Sequence, residues 1–339
     1  KKNLMSVHLQ IRNVLLFQRV IQTVSVSKDS MLTIFMTSDV MVLHASTEDQ
    51  TCTSAATLPV GAMFSEYAAT GDPRFMVSAA ALLDALRMVP PPNPASLTPN
   101  ASKFTMAFPA GDGRLLVQID DDSHPHKRCV QSTLATRPVR DRLLDLRFGD
   151  AIVENVAAFR FDTALSEAIM DLVSFQCAQV RLEFTPQTLR LVGLQSPLGT
   201  SAAVSMGKSL DCLLRFETGN SSTRPLFRLQ HFAAACGLGG LRHVSHTRPT
   251  SVSNSDPIGL HHQHGSAWNV PASPWQPWGA DYGTVPGTFE RTTLSLNAER
   301  QLSVSHSVDL EYVHVGGGSV VCPVTVSIVI SSLSELDTI

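Results

Sequence analysis

The chain has 339 residues, a formal net charge of -3 and only 16% charged residues, so there is no global basic signature and any nucleic-acid contact must rest on a local patch. The length allows two domains or one large one, and 43% hydrophobic residues, with 6% aromatics, support real cores. The cysteines at 52, 129, 177, 212, 236 and 322 form no CxxC pair, which argues against a zinc ribbon or a disulfide scaffold and fits a reducing compartment.

Asn13 to Val24 reads as an amphipathic helix, with Val14, Phe17, Ile21 and Val24 on one face and Gln18, Arg19 and Gln22 towards the other. Two β-rich runs follow, Met31–Met36 and Val40–Ala45, joined by the polar turn Thr37-Ser38-Asp39. Thr53–Leu58 is a further strand, and Ala62–Tyr67 a short turn of helix. The stretch FMVSAAALLDALRMV, Phe75 to Val89, opens as a strand and becomes a helix. Leu82, Leu83, Leu86 and Val89 share one side with Ala79 beside them, and the opposite side carries only Ala80, Asp84 and Arg87. A proline-rich loop, Pro90 to Asn100, precedes two strands, Lys103–Pro109 and Arg114–Asp120, around Ala110-Gly111-Asp112-Gly113.

The second half repeats this order. Phe161–Val173 is a helix with Asp162 as N-cap and Leu165, Ile169 and Leu172 on one side. Strands Gln179–Thr185 and Thr188–Leu194 follow, then Ser201–Met206 and Asp211–Glu217. Phe227–Leu229 leads into a small-residue helix, His231–Leu238, and Thr292–Leu296 with Gln301–Val308 form a hairpin. Val320–Ile330, interrupted by Pro323, Thr325 and Ser327, is a strand and too short to span a bilayer. The doubled order predicts two similar domains, 1–135 and 157–339. Between them lies a connector, 136–156, with Arg137, Arg140, Arg142 and Arg147 and one strand, Leu143–Phe148. Gly239 to Gly287, rich in Gly, Pro, Ser and His and carrying Trp268, Trp275 and Trp278, is an aperiodic insertion.

Few residues suggest chemistry. Asp120, Asp121, Asp122, His124 and His126 invite a metal or nuclease reading, since carboxylates and imidazoles bind divalent ions, but they end a strand in a turn and no matching acidic motif occurs elsewhere. His261, His262 and His264, with His243 and His246, lie in the insertion, where the rings would lack the hydrogen-bonding neighbours that orient metal ligands. Gly237-Leu238-Gly239-Gly240 lacks the Lys-Ser/Thr ending of a phosphate loop, and no Ser/His/Asp order fits a known triad. The expectation is a non-enzymatic protein without metal or cofactor.

The order and spacing of four blocks, AMFSEY at 62–67, FMVSAAALLDAL at 75–86, LSEAIMDL at 165–172 and LSVSHSVD at 302–309, resemble the PCNA-like sliding DNA clamp family over nearly the whole chain outside the insertion. Among clamps the pattern is most similar to the Rad-one-type subunit of the heterotrimeric checkpoint clamp, the nine-one-one complex. The resemblance implies an α+β clamp fold, with antiparallel sheets outside and two helices per domain lining an inner face. It implies a nuclear DNA-damage checkpoint and DNA-repair role in a ring with two related subunits. A clamp loader would open that ring on double-stranded DNA, and checkpoint and repair proteins would be recruited to it.

On that resemblance, Arg12, Arg19, Arg87, His231 and Arg242 face DNA, although the helix 161–173 carries Asp162, Glu167 and Asp171 and no basic residue. The subunit edges fall on Arg128–Leu134, with Arg128, Val130, Ser132 and Leu134, and on Thr200–Met206, with Thr200, Ala202, Val204 and Met206. Two other readings stand beside this one: a homotrimeric replicative clamp, opposed by the sparse positive charge and the insertion, and a metal-dependent nuclease built on the aspartate cluster. On pattern alone the 79–86 helix also reads as an ordinary core helix with a solvated arginine.

Overall fold

The computed structural model describes residues 6–27, 29–88, 102–121, 128–139, 148, 152–160, 163–197, 199–219, 224–238, 289–313 and 319–333. The predicted insertion, and all of the connector strand but Phe148, lie outside them, as do Arg242, the tryptophans and Asp122 to His126.

The first half runs β1 (Ser6–Ile11), α1 (Val14–Val24), β2 (Met31–Met36), β3 (Val40–Ser46), β4 (Cys52–Pro59), α2 (Val60–Met63), β5 (Phe64–Thr70), β6 (Arg74–Ser78), α3 (Ala79–Leu86), β7 (Ser102–Ala110), β8 (Arg114–Asp121), β9 (Arg128–Leu134) and β10 (Thr136–Pro138). The second runs β11 (Val153–Arg160), α4 (Thr163–Ser174), β12 (Gln179–Phe184), β13 (Thr188–Leu194), β14 (Ala202–Gly207), β15 (Leu213–Glu217), β16 (Leu226–Arg228), α5 (Leu229–Ala233) continued by a turn over Ala234–Leu238 that leaves helical geometry at Cys236 and Gly237, β17 (Arg291–Asn297), β18 (Gln301–Val313) and β19 (Ser319–Ser331).

Local chemistry sets the helix starts. Asn13 caps α1 by accepting from the Leu16 amide at 2.9 Å, and Ser78 caps α3 by accepting from Ala81. Helix α1 then buries Leu16, Phe17, Val20, Ile21 and Val24, and α3 buries Ala79, Leu82, Ala85 and Leu86. Ala80, Asp84 and Arg87 stay exposed on the opposite side of α3, as its spacing predicts. Burial of each large aliphatic side chain contributes about 1.5–3 kcal/mol, which outweighs the modest propensity of such short helices.

The segment 62–67 departs from its reading. Only Val60–Met63 is helical, and Phe64 to Thr70 is a strand paired antiparallel to β1. A free edge lets β5 alternate only weakly in burial, so its sequence carries little of the usual two-residue period.

The sheets repeat one plan. In the first half a five-stranded sheet runs β5-β1-β7-β8-β9, and in the second the strands β15-β11-β17-β18-β19 lie in the same order. The other strands run β10-β6-β2-β3-β4 and β16-β12-β13-β14, in matching order apart from the extra edge strand β10. One pairing fuses the halves. Strand β4 pairs with β19, from Thr57↔Thr325 to Cys52↔Ile330, and so builds a ten-stranded sheet. The counterparts of those two strands, β14 and β9, remain sheet edges.

Candidate subunit and nucleic-acid interface

The predicted edge residues fall on edge strands. Among the described residues, Val130, Ser132 and Leu134 lie on β9, which pairs only with β8, and Ala202, Val204 and Met206 lie on β14, which pairs only with β13. Thr200 stands two residues before β14, and Arg128 is the first residue of β9. Val130, Ser132, Ala202 and Val204 are half-buried. The residues in matching positions at the fused junction, Val326, Ile328, Ser54 and Ala56, are fully buried. An open backbone edge beside half-buried apolar side chains offers both the hydrogen bonds and the apolar area that a further strand needs.

The predicted DNA-facing cations have separate fates. Arg12 is exposed just ahead of α1, and its Nε donates to the Phe64 carbonyl at 2.9 Å. Arg19 is half-buried and donates from Nη1 to the Gly237 carbonyl at 3.1 Å, across the two halves. Arg87, two-thirds exposed, forms an ion pair with Asp84 at 2.8 Å one turn earlier on α3.

His231 is a correction. It is 8% exposed, with Nδ1 3.5 Å from the Thr51 hydroxyl, and its pKa is lowered by burial first and by nearby Arg228 second, against an opposing pull from Asp49. Desolvation disfavours the imidazolium, so this side chain is not a phosphate-facing cation. Nothing in its sequence position gave this away, because α5 is exposed only at Gln230 and packs on every other side.

The exposed helix surfaces are therefore sparse in cations, with a small acidic excess. Among the described residues of α1, α3, α4 and α5 and their caps, the exposed cations are Arg87 and Arg228, each ion-paired to a carboxylate, against Asp84, Glu167 and Asp171. The uncharged remainder is exemplified by Leu15, Gln22, Ala80 and Gln230.

Other polar clusters serve the fold. Glu183, 8% exposed, receives Arg181 at 3.0 Å, Arg190 at 3.3 Å and Arg224 at 3.7 Å on one sheet face. His306, fully buried on β18, bonds Thr292 Oγ1 through Nδ1 at 2.9 Å and the Ala235 carbonyl through Nε2 at 2.6 Å, and so ties the sheet to the turn that follows α5. His44 is buried on β3 with no hydrogen-bond partner at Nε2, and burial lowers its pKa. Among the described residues no group of three His, Cys, Asp or Glu is placed to hold a metal ion.

No protein-family model matches the sequence, and no curated protein does either. Solved structures do match. PCNA from Thermococcus kodakaraensis is 10% identical, with 96% of this chain and 100% of that one covered at a TM-score of 0.62. The proliferating cellular nuclear antigen of Entamoeba histolytica is 8% identical, with 98% and 100% covered at 0.64. A PCNA2–PCNA3 complex from Sulfolobus tokodaii is 11% identical, with 97% and 100% covered at 0.61. At such identities the likeness establishes the fold: an α+β PCNA-type clamp fold, as the four sequence blocks imply.

Proposed function

We propose that this chain is a non-catalytic subunit of a sliding clamp that closes around double-stranded DNA. The observation that carries the reading is the pairing of β4 with β19 while their counterparts β14 and β9 stay open. A protein that fuses its own halves through one strand pair, and leaves the same pair of edges free at both ends, is built to repeat that junction with neighbours. Head-to-tail use of such unlike edges gives a closed ring when the rotation closes.

The composition of the ring follows from charge. Three copies of this chain would line a channel with helix surfaces sparse in cations, which attract phosphate only weakly. Related subunits with more basic helices would supply the attraction that this one lacks. This favours a mixed ring of three different clamp chains, of the checkpoint type that the sequence resembles, over a homotrimeric replicative clamp. One of the similar structures is itself a complex of two PCNA chains, PCNA2 and PCNA3. In the mixed ring a loader opens one edge, the closed ring holds to DNA by linkage, and its outer surface recruits signalling and repair factors in the nucleus.

Native mass measurement of the complex purified from its own cells tests the composition. One copy of this chain with two other clamp-fold chains is the expected result. A stable homotrimer of this chain alone would favour the replicative reading.

A further inference from the structure

The acids on α4 look out of place beside DNA, and the internal repeat explains them. Helix α1 buries Phe17, Val20, Ile21 and Val24 at the spacing with which α4 buries Leu165, Ala168, Ile169 and Leu172. The same sequence shift relates Leu43 to Leu191 and Ser54 to Ala202, each with matching strand partners. A second match relates α3 to α5, since Ala79, Leu82, Ala85 and Leu86 are buried where Leu229, Phe232, Ala235 and Cys236 are buried. On these matches Arg19 corresponds to Glu167, Thr23 to Asp171, and Arg87 to Gly237.

At the junction inside the chain, α1 meets the end of the helix that closes on Gly237. Arg19 donates to the Gly237 carbonyl at 3.1 Å, and Thr23 is fully buried. At the matching positions Glu167, Asp171 and Arg87 are all exposed. The difference in burial is what a missing neighbour produces. The charges also have a reason. The last carbonyls of a helix carry partial negative charge, so a guanidinium such as Arg19 suits them and a carboxylate does not. A carboxylate at that place is favourable only when the incoming helix end brings its own cation. Arg87, which caps the end of α3, shows how this fold presents one.

We propose that Glu167 and Asp171 form an acidic docking strip for a neighbouring clamp-fold subunit whose counterpart of α3 ends on an arginine or lysine. This rests on the ring reading above and names the chemistry of the partner at that boundary. The strip lies at the subunit boundary, so these two acids do not face DNA. The backbone register follows from the same repeat: Val326↔Ala56 and Ile328↔Ser54 at the internal junction place Val204 and Ala202 opposite the neighbour's counterparts of Val130 and Ser132. The complementary edge of this chain carries Arg87 and takes an acidic helix flank from the subunit on its other side.

The test uses the complex purified with its neighbours and compares three variants of this chain by sedimentation across a salt series. Glu167→Lys with Asp171→Lys should weaken assembly about tenfold or more at low salt, with the difference shrinking as salt rises. Glu167→Gln with Asp171→Asn should weaken it less. Val204→Asp should dissociate the complex at every salt concentration, with the melting temperature of the lone chain confirming that each variant is folded. Unchanged assembly by the lysine variant, while Val204→Asp dissociates, overturns the docking strip and leaves the ring reading standing. Normal assembly by Val204→Asp overturns the ring reading itself. A photo-crosslinking group in place of Glu167 gives a second readout: attachment to a basic helix end of the neighbour supports the strip, and attachment to DNA overturns it.

Discussion

Arg228 Nη1 lies 3.0 Å from Asp49 Oδ2, an ion pair that links β16 in the second half to the turn between β3 and β4 in the first. Asp49 also accepts from the Thr51 hydroxyl at 2.8 Å and the Thr51 amide at 3.2 Å. The Thr47 hydroxyl, these Thr51 donors and the Arg228 charge together hold its carboxyl well below the ordinary carboxylate range, although desolvation opposes them.

A lowered carboxylate pKa contributes stability above the unfolded value of about 4, and that contribution is lost as pH falls further towards the folded value. Asp49→Asn should therefore flatten the fall in stability below about pH 4. At neutral pH the cost should be small, about 0.5 kcal/mol, because both partners are more than two-fifths exposed. Denaturant titrations of both proteins from pH 7 to about pH 3 measure this directly.

Gly237 sits at φ 82°, and a Cβ there would lie 3.0 Å from Arg19 Nη2. Gly237→Ala should cost about 1–2 kcal/mol from the left-handed backbone and the crowding together. Arg19→Ala should cost about 1 kcal/mol by removing a charged donor from that carbonyl. Arg19→Ala should lower the melting temperature while leaving the salt dependence of DNA binding by the assembled ring unchanged.

Arg12, which is exposed, should behave in the opposite way. Arg12→Ala should reduce the slope of log affinity against log salt by about 0.9, the value of one phosphate contact, equally across DNA sequences. Salt titrations of the two arginine variants on the same DNA distinguish a channel-facing cation from a structural one.

His306→Leu keeps much of the volume but strands the Thr292 hydroxyl and the Ala235 carbonyl in a dry core. A loss of about 2–4 kcal/mol should follow from two unsatisfied groups, read as a lower urea midpoint. His306→Gln, which retains a donor, should lose less.

Much of this architecture is written in local pattern. The alternation of LSVSHSVD places Val304, His306 and Val308 inward on β18, and the capped, one-sided helices α1 and α3 follow from Asn13, Ser78 and their leucine spacing. What local pattern omits depends on distant partners. Arg19 reads as a surface cation because the carbonyl it meets is 218 residues away. His231 reads as a helix-end cation because Thr51, the partner beside which it is buried, comes from the other half. Strand β1 is faint in the sequence although Val7, Leu9 and Ile11 alternate, because the run is short and feeds directly into the cap of α1. Glu167 and Asp171 looked like poor DNA ligands, and only the match of α4 to α1 gives them another place.

The assembled complex should hold DNA by enclosing it. The deciding measurement is retention of the loaded complex on closed circular DNA at high salt, followed by linearisation of the same DNA. Enclosure predicts that the complex stays on the circle, where phosphate contacts are screened, and slides off once ends appear. Equal retention before and after cutting, or full release from the circle by salt alone, would contradict it.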